Sequence, residues 1–433
     1  MEMDIHVVRP GDTMYQLAQQ YGVSMDRLIQ DNQLPDPSHL VVGQAIVVRY
    51  PKLTHTVKAG DTLWSIAQTH HTTVDQLLRN NPVLHGYDYI FPGQTLVIEF
   101  VSQPTDTLTV NGYAYPYLDS RSATAMFPYL SQLTPFSYRF TESGTLIPLR
   151  DDTLTDLAKK AGVAPIFHLS SLDEQENFSG ALAHQLLTNE QAQQCLISAI
   201  LKAVSQKGYL GVDVDFEYVY PEDSARYARF LTQLHRALAP QNIPLSVDLA
   251  PKTSDQQPGH FYEGHNYRLL SQAVDYALLM TYGWGYPGGP PMSIAPLPQV
   301  RKVLEYALTY FTSDRLYLGI PTYGLNWALP YQPNKQTPSL DHVQAVQLAW
   351  DRHAAIRYDQ QAQAPWFRYV DEKGTEHEVW FEDVRSIQAK LNLAQEFGLY
   401  GVGYWNLNRP FPQNWTLLNG TTKIREETAS DHL

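Results

Sequence analysis

Between residues 108 and 405, eight short apolar runs of the kind that make buried strands recur along the chain. They are Leu108 to Ala114, Leu133 to Phe140, Ala164 to Leu169, Tyr209 to Glu217, Ile243 to Ala250, Tyr276 to Tyr282, Leu316 to Thr322 and Tyr400 to Trp405. Helical patterns such as Glu222 to Leu238, Leu297 to Tyr310 and Phe381 to Phe397 separate several of them. Strands that alternate with helices are parallel strands joined by crossovers. Eight of them close most simply into a (β/α)8 TIM barrel, an α/β fold that takes about 250 residues. The surplus predicts an α+β insertion over 326–380, with a hairpin from Trp366 to Val379 turning at Asp371 to Gly374. The polar tail from Thr421 to Leu433 carries no pattern, and we assign it no structure.

Upstream of the barrel the chain repeats itself. Arg9-Pro10-Gly11-Asp12-Thr13 returns as Lys58-Ala59-Gly60-Asp61-Thr62, and Asp31-Asn32 returns as Asn80-Asn81 at the same spacing. Each copy reads as a strand, a glycine turn with an Asp-Thr helix cap, two helices and a closing strand, a βααβ unit. The two units span 4–49 and 54–98, and a polar, Pro-containing linker over 99–107 separates them from the barrel at 108–425.

Composition narrows the partners. With 31 basic and 44 acidic residues the formal charge is -13, so nucleic acid is a poor partner, because such binding draws on phosphate neutralisation. Cys195 is the only cysteine, which excludes an internal disulfide and a thiolate metal cluster. No run of about 18 apolar residues offers a membrane span, and the first residues lack the basic and apolar stretches of a secretory signal, predicting a protein made in the cytoplasm. Seven of the eight tryptophans lie at or beyond Trp284, which points to different tasks for the two ends.

Chemistry is concentrated in the fourth run, Leu210-Gly211-Val212-Asp213-Val214-Asp215-Phe216-Glu217. Alternate residues of a strand share a face, so Asp213, Asp215 and Glu217 project together into the barrel while Val212, Val214 and Phe216 meet the helices. Three inward carboxylates cannot all ionise cheaply, and repulsion with burial raises the proton affinity of the outermost, Glu217. Glu217 stands at the strand's C-terminal end, where barrel active sites assemble, placed to act as a general acid on a glycosidic oxygen. A divalent metal competes for such carboxylates, although no accompanying ligand cluster is visible, and we predict neither metal nor cofactor.

Two resemblances sharpen this. The repeated units resemble the LysM module, a binder of glycans containing N-acetylglucosamine, which implies a sugar groove bounded by Gly11, Asp12, Thr13 and Asn32 in one copy and Gly60, Asp61, Thr62 and Asn81 in the other. Taken singly, Asp12, Thr13, Asp61 and Thr62 read better as helix caps and the Asn residues as turn formers; as a pair, two weak modules on one chain favour polymer binding. The fourth run resembles the DGxDxDxE signature of glycoside hydrolase family 18, with Leu210 in place of its leading Asp. The resemblance implies Glu217 as acid, Asp215 as the group that stabilises the substrate's acetamido N–H, and Asp213 as its tuner. The substrate's own acetamido oxygen is then the nucleophile. Met280-Thr281-Tyr282 matches the family's MxY, implying that Tyr282 positions the acetamido oxygen, and Trp405 matches the tryptophan that floors the pocket. Gly283 replaces the Asp that commonly follows MxY. Trp284 and Tyr286, on a Gly/Pro-rich loop, suit stacking on sugar faces.

The order of the parts is similar to that of the spore-associated peptidoglycan N-acetylglucosaminidases of spore-forming bacteria. That likeness implies hydrolysis after N-acetylglucosamine in spore cortex fragments and a location in the spore's cortex or coat region. Two other readings stand beside it: a chitinase acting on chitin oligomers, and a non-catalytic lectin, against which Glu217, Asp215 and Tyr282 together speak.

Overall fold

A computed structural model describes residues 3–34, 36–104 and 106–426. Eight parallel strands form a closed barrel: Thr107–Ala114, Gln132–Pro135, Ala164–Ser170, Gly211–Asp215, Leu245–Leu249, Tyr276–Leu279, Leu316–Pro321 and Gly401–Trp405. Each pairs with the next, and Gly401–Trp405 closes the ring against Thr109–Tyr113. The second strand ends at Pro135; Arg139–Phe140, expected to continue it, instead pairs antiparallel with Leu146–Ile147.

The strands close because their outward residues have helices to bury against. Phe216 of the fourth run, fully buried, stacks on Tyr227 and Phe230 of the helix Ser224–Leu238, with ring centroids 5.3 and 5.9 Å away. That packing fixes the register, and a one-residue slip would turn the carboxylates toward the helices. Asp213 and Asp215 therefore point inward, buried.

Past the seventh strand the chain builds a five-stranded antiparallel sheet from Tyr323–Ala328, Ser339–Asp341, Arg357–Asp359, Ala364–Val370 and Glu376–Trp380, with the helix His342–Asp351 beside it. This sheet starts ahead of Asn326. The strand closing the second small module runs to Phe100 and the barrel opens at Thr107, leaving residues 101–106 between. The tail is partly ordered: Thr421 ends the helix Pro412–Thr421, and Lys423–Ile424 pairs parallel with Thr107–Leu108. Residues 427–433 of that tail lie outside the described residues. No helix among the described residues is long and apolar enough to cross a membrane.

The two small modules are docked on the barrel by its last helix. The Thr416 hydroxyl donates to the Asp31 carbonyl at 2.6 Å, and the Gln413 amide donates to Asn32 Oδ1 at 2.8 Å. One turn on, the Asn419 amide donates to the Arg79 carbonyl at 3.1 Å and to Asn80 Oδ1 at 3.0 Å. Equivalent positions of the two repeats thus face one helix. The first module also meets the added sheet, where the Ile356 N–H donates to the Val42 carbonyl and the rings of His39 and Trp350 stack at 4.1 Å.

Candidate active site

Register brings the inward residues of neighbouring strands level. Asp213 pairs with His168 on one side and Ser246 on the other, and Asp215 pairs with Ser170. The Ser246 hydroxyl donates to Asp213 Oδ1 at 2.5 Å. From the first strand, the Tyr113 hydroxyl lies 2.9 Å from Asp213 Oδ2 and 3.0 Å from Asp248 Oδ1, sharing one proton between two acids. His168 Nδ1 is 2.9 Å from the Ser137 hydroxyl, and its Nε2 faces Asp213 at 3.6 Å, Asp248 at 3.5 Å and Asp215 at 4.0 Å.

Asp248, Tyr113 and His168 were not singled out in the sequence. Asp248 carried a usable signal, because Ser246 and Asp248 alternate with Leu245, Val247 and Leu249 just as the acids of the fourth strand alternate with their valines. Histidine and carboxylates here form one group whose ligand atoms (His168, Asp215, Asp248) lie within 4.8 Å of one another, a donor set that the sequence did not reveal. Of this set the Tyr113 hydroxyl serves Asp248, and the hydroxyls of Tyr113 and Ser246 serve the adjoining Asp213.

Electrostatically the cluster is a store of protons. Burial, then repulsion from Asp248, pushes the Asp213 carboxyl up to about 7, with His168, Ser246 and Tyr113 pulling the other way. Asp248 is likewise raised to about 7 by burial. Asp215 is held well above the carboxylate range by burial and by Asp248, Glu217 and Asp213. Glu217, half-buried at the barrel mouth, is raised to about 8 by burial and by Asp248. His168 is pushed down to about 4 by burial and so is neutral. Asp215 Oδ1 and His168 Nε2 are buried without a hydrogen-bond partner among the described residues.

Glu217 must carry a proton to act as an acid, so kcat/KM is expected to fall as pH rises through about 8, roughly tenfold per unit beyond it. Asp248→Asn removes a like charge and should move that limb to lower pH; a pH–rate profile with the limb unmoved would refute the coupling.

Tyr282 and Met280 follow the sixth strand, and Tyr282 sits within electrostatic reach of Asp248, Asp215 and Glu217, which with burial hold its hydroxyl well above the usual range. Trp405 ends the eighth strand and packs edge-on against Phe136 at 4.8 Å and Tyr113 at 5.9 Å. Trp284 is half-buried against the barrel core, whereas Tyr286 is exposed. Of the two departures from the family pattern, one has a local reason. Gly283 has φ +84°, a conformation an aspartate adopts only with strain. Leu210 precedes the fourth strand at the end opposite Glu217, its N–H donating to the Pro165 carbonyl.

In the small modules, Gly11, Thr13, Gly60 and Thr62 are exposed at their turns, and both threonines cap the following helix. The carboxylates of Asp12 and Asp61 accept from His6 and Arg9 and from His55 and Lys58, respectively. Asn32 and Asn81, expected to bound the sugar grooves, are both buried with their amides hydrogen-bonded to backbone, Asn32 Oδ1 also accepting from the Gln413 amide. Asn81 donates to the Leu77 and Val97 carbonyls and accepts from the Val97 N–H, and Asn32 does the same with Leu28 and Val47. They staple helix to strand. Asn81→Ala leaves those groups unpaired and should cost about 2 to 4 kcal/mol; hydrogen exchange at the Val97 amide, unchanged in the variant, would contradict this. In the second module a cavity of about 330 Å3 is lined by Asp61, Thr62, Trp64, Tyr89 and Phe91, the three aromatics well exposed and unsuspected from sequence.

A barrel with a buried acid of raised proton affinity at the end of its fourth strand, above an acidic stack, within reach of Tyr282 and facing Trp405 across the mouth, is the arrangement of a glycosidase. The model of glycosyl hydrolases family 18 matches residues 104–409, and the LysM domain matches 6–49 and 55–99. The chain belongs to glycosyl hydrolases family 18 and carries two LysM domains. It is 39% identical to the cortical fragment-lytic enzyme of Bacillus subtilis (strain 168), over 98% of this chain and 100% of that one. Among solved structures it is similar to the spore cortex-lytic enzyme SleL of Bacillus cereus, with TM-score 0.83 and 36% identity over 98% of this chain and 99% of that one. The SleL of Bacillus megaterium QM B1551 matches with TM-score 0.82 and 33% identity over 98% and 99%.

Proposed function

We propose that this protein is a retaining N-acetylglucosaminidase that cleaves after N-acetylglucosamine in the peptidoglycan of spore cortex fragments and works in the spore. The observation that carries the reading is the pairing of a protonated Glu217 at the barrel mouth with the unpartnered, buried Asp215 Oδ1 beneath it. The acetamido oxygen of the bound sugar attacks its anomeric carbon, Glu217 passes its proton to the leaving oxygen, and Asp215 Oδ1 accepts the acetamido N–H as positive charge develops. The Tyr282 hydroxyl orients the acetamido oxygen, and Trp405 floors the sugar. Water then opens the oxazolinium ion, with Glu217 returning as base. Full-length similarity to the cortical fragment-lytic enzymes supports peptidoglycan as the polymer, and the LysM pair supports polymer attachment.

Digestion of cortex fragments and of chitin oligomers, with mass spectrometry of the new reducing ends, tests the reading. New N-acetylglucosamine ends from cortex are the expected result. Cleavage of chitin alone would make the protein a chitinase, and binding without cleavage would make it a lectin. Attachment has its own check: Trp64→Ala, a change at an exposed ring, should reduce cosedimentation with insoluble glycan about tenfold.

A further inference from the structure

Glu217 follows the fourth barrel strand and Trp405 ends the eighth, so they stand on opposite sides of an eight-stranded mouth. A glycan lying on Trp405 with its scissile bond at Glu217 continues, toward its non-reducing end, over whatever lies beyond the tryptophan. There the structure has a cavity of about 580 Å3, large enough for an N-acetylated sugar with a substituent. Its lining comes from the loops after the first and eighth strands and from the added sheet, and includes Tyr115, Tyr117, Tyr323, Asp341, Asn408 and Arg409.

Three features of this cavity are chemical. The rings of Tyr115 and Tyr117 stack at 5.3 Å, and Tyr117 is exposed, giving an aromatic face for a pyranose. Asp341 is buried and spent as the cap of the helix His342–Asp351, accepting from the Gln344 N–H at 2.8 Å. Arg409 is the one basic residue of the lining; its guanidinium donates to the Ser339 hydroxyl at 2.7 Å and has no ion-pair partner among the described residues. Tyr323 shares this lining with Arg409, and burial with the Glu382 and Glu217 carboxyls holds its hydroxyl above its ordinary range while Arg409 pulls against them, so it is within electrostatic reach of both Glu217 and the arginine. In a chain of formal charge -13, a cation oriented beside the cleft and left unneutralised marks a place for an anion.

We propose that this cavity is a subsite for a carboxylate-bearing N-acetylated sugar, the 3-O-lactyl sugar of peptidoglycan, and that Arg409 selects it over the neutral sugar that chitin would place there. The inference rests on the peptidoglycan reading above and names the residue that discriminates. In a polymer where N-acetylglucosamine alternates with the lactyl sugar, cleavage after the former places the latter on its non-reducing side, over Arg409. The guanidinium then forms a charge-assisted hydrogen bond with the lactyl carboxylate.

A tetrasaccharide of two N-acetylglucosamine–lactyl-sugar repeats, stripped of peptide, compared with its methyl ester, tests this with the full chain. The native enzyme is expected to favour the acid about tenfold in kcat/KM, Arg409→Ala to bring that ratio to about one, and Arg409→Lys to leave an intermediate ratio. Because the readout is a ratio on one preparation, a partly folded variant does not distort it. A native ratio near one, or a ratio unaltered in Arg409→Ala, overturns the subsite while leaving the peptidoglycan reading intact. Failure to cleave either form, with chitin cleaved, overturns both.

Discussion

Glu217→Gln is expected to lower turnover on glycan by about 10^2- to 10^4-fold while binding stays close to native. The substitution keeps the shape of the side chain and removes only the proton that is given up and taken back. The same change should abolish the alkaline limb of the pH–rate profile, since that limb reports the Glu217 carboxyl, which burial and Asp248 raise to about 8. The stability consequence has a definite sign. A carboxyl whose native affinity for protons exceeds its unfolded one makes the folded state bind more protons between about pH 4 and pH 8, so stability falls as pH rises through that window. Glutamine cannot ionise, so the variant should lose less of its thermal midpoint than the native protein between pH 6 and pH 9. Thermal melts at the two pH values, with single-turnover hydrolysis alongside, check both statements. Turnover within tenfold of native would remove Glu217 from the acid's role.

Asp215→Asn should cost about 10^2- to 10^3-fold in kcat with a far smaller change in KM. The reason lies in the carboxyl's surroundings. It is buried among Asp213, Asp248 and Glu217, and its Oδ1 has no hydrogen-bond partner among the described residues, so the group is poised to meet a polar N–H from the substrate. An asparagine can still accept that N–H through its carbonyl, but it has no proton to pass to the neighbouring acids and so cannot become the anion that faces the cationic ring as it forms. Binding therefore survives better than chemistry. Loss of KM alone, with kcat intact, would assign Asp215 to ground-state binding.

The barrel was legible because parallel strands buried on both faces leave apolar runs that recur with helices between them, and all eight runs mark barrel strands. The acids of the fourth strand were legible for the opposite reason, as charges in a run that ought to be apolar. Asp248 escaped because it is a lone acid between Val247 and Leu249 with no second carboxylate two residues away. Tyr113 and His168 escaped because a tyrosine or histidine in a strand is ordinarily core, and only the barrel's closure shows that both face Asp213 and Asp248. Asn32 and Asn81 recur for a structural reason that the sequence does not separate from a binding one. Their recurrence follows from a shared fold requirement, the tie between second helix and closing strand, which a repeat conserves within itself as strictly as it would a ligand contact. The helix Pro412–Thr421 had no local signature at all, since Gln413, Thr416 and Asn419 acquire their role from partners more than 300 residues earlier.

That helix has a mechanical consequence. With both LysM domains hydrogen-bonded to it, anchor and cutting edge form one stiff tool rather than a blade on a cord. A cord would let the cleft wander over many neighbouring strands of a mesh at an entropic charge on every engagement; a stiff tool loses no such freedom when it seats, but accepts only those strands that already run, or can bend, from grip to cleft along the path its own shape dictates.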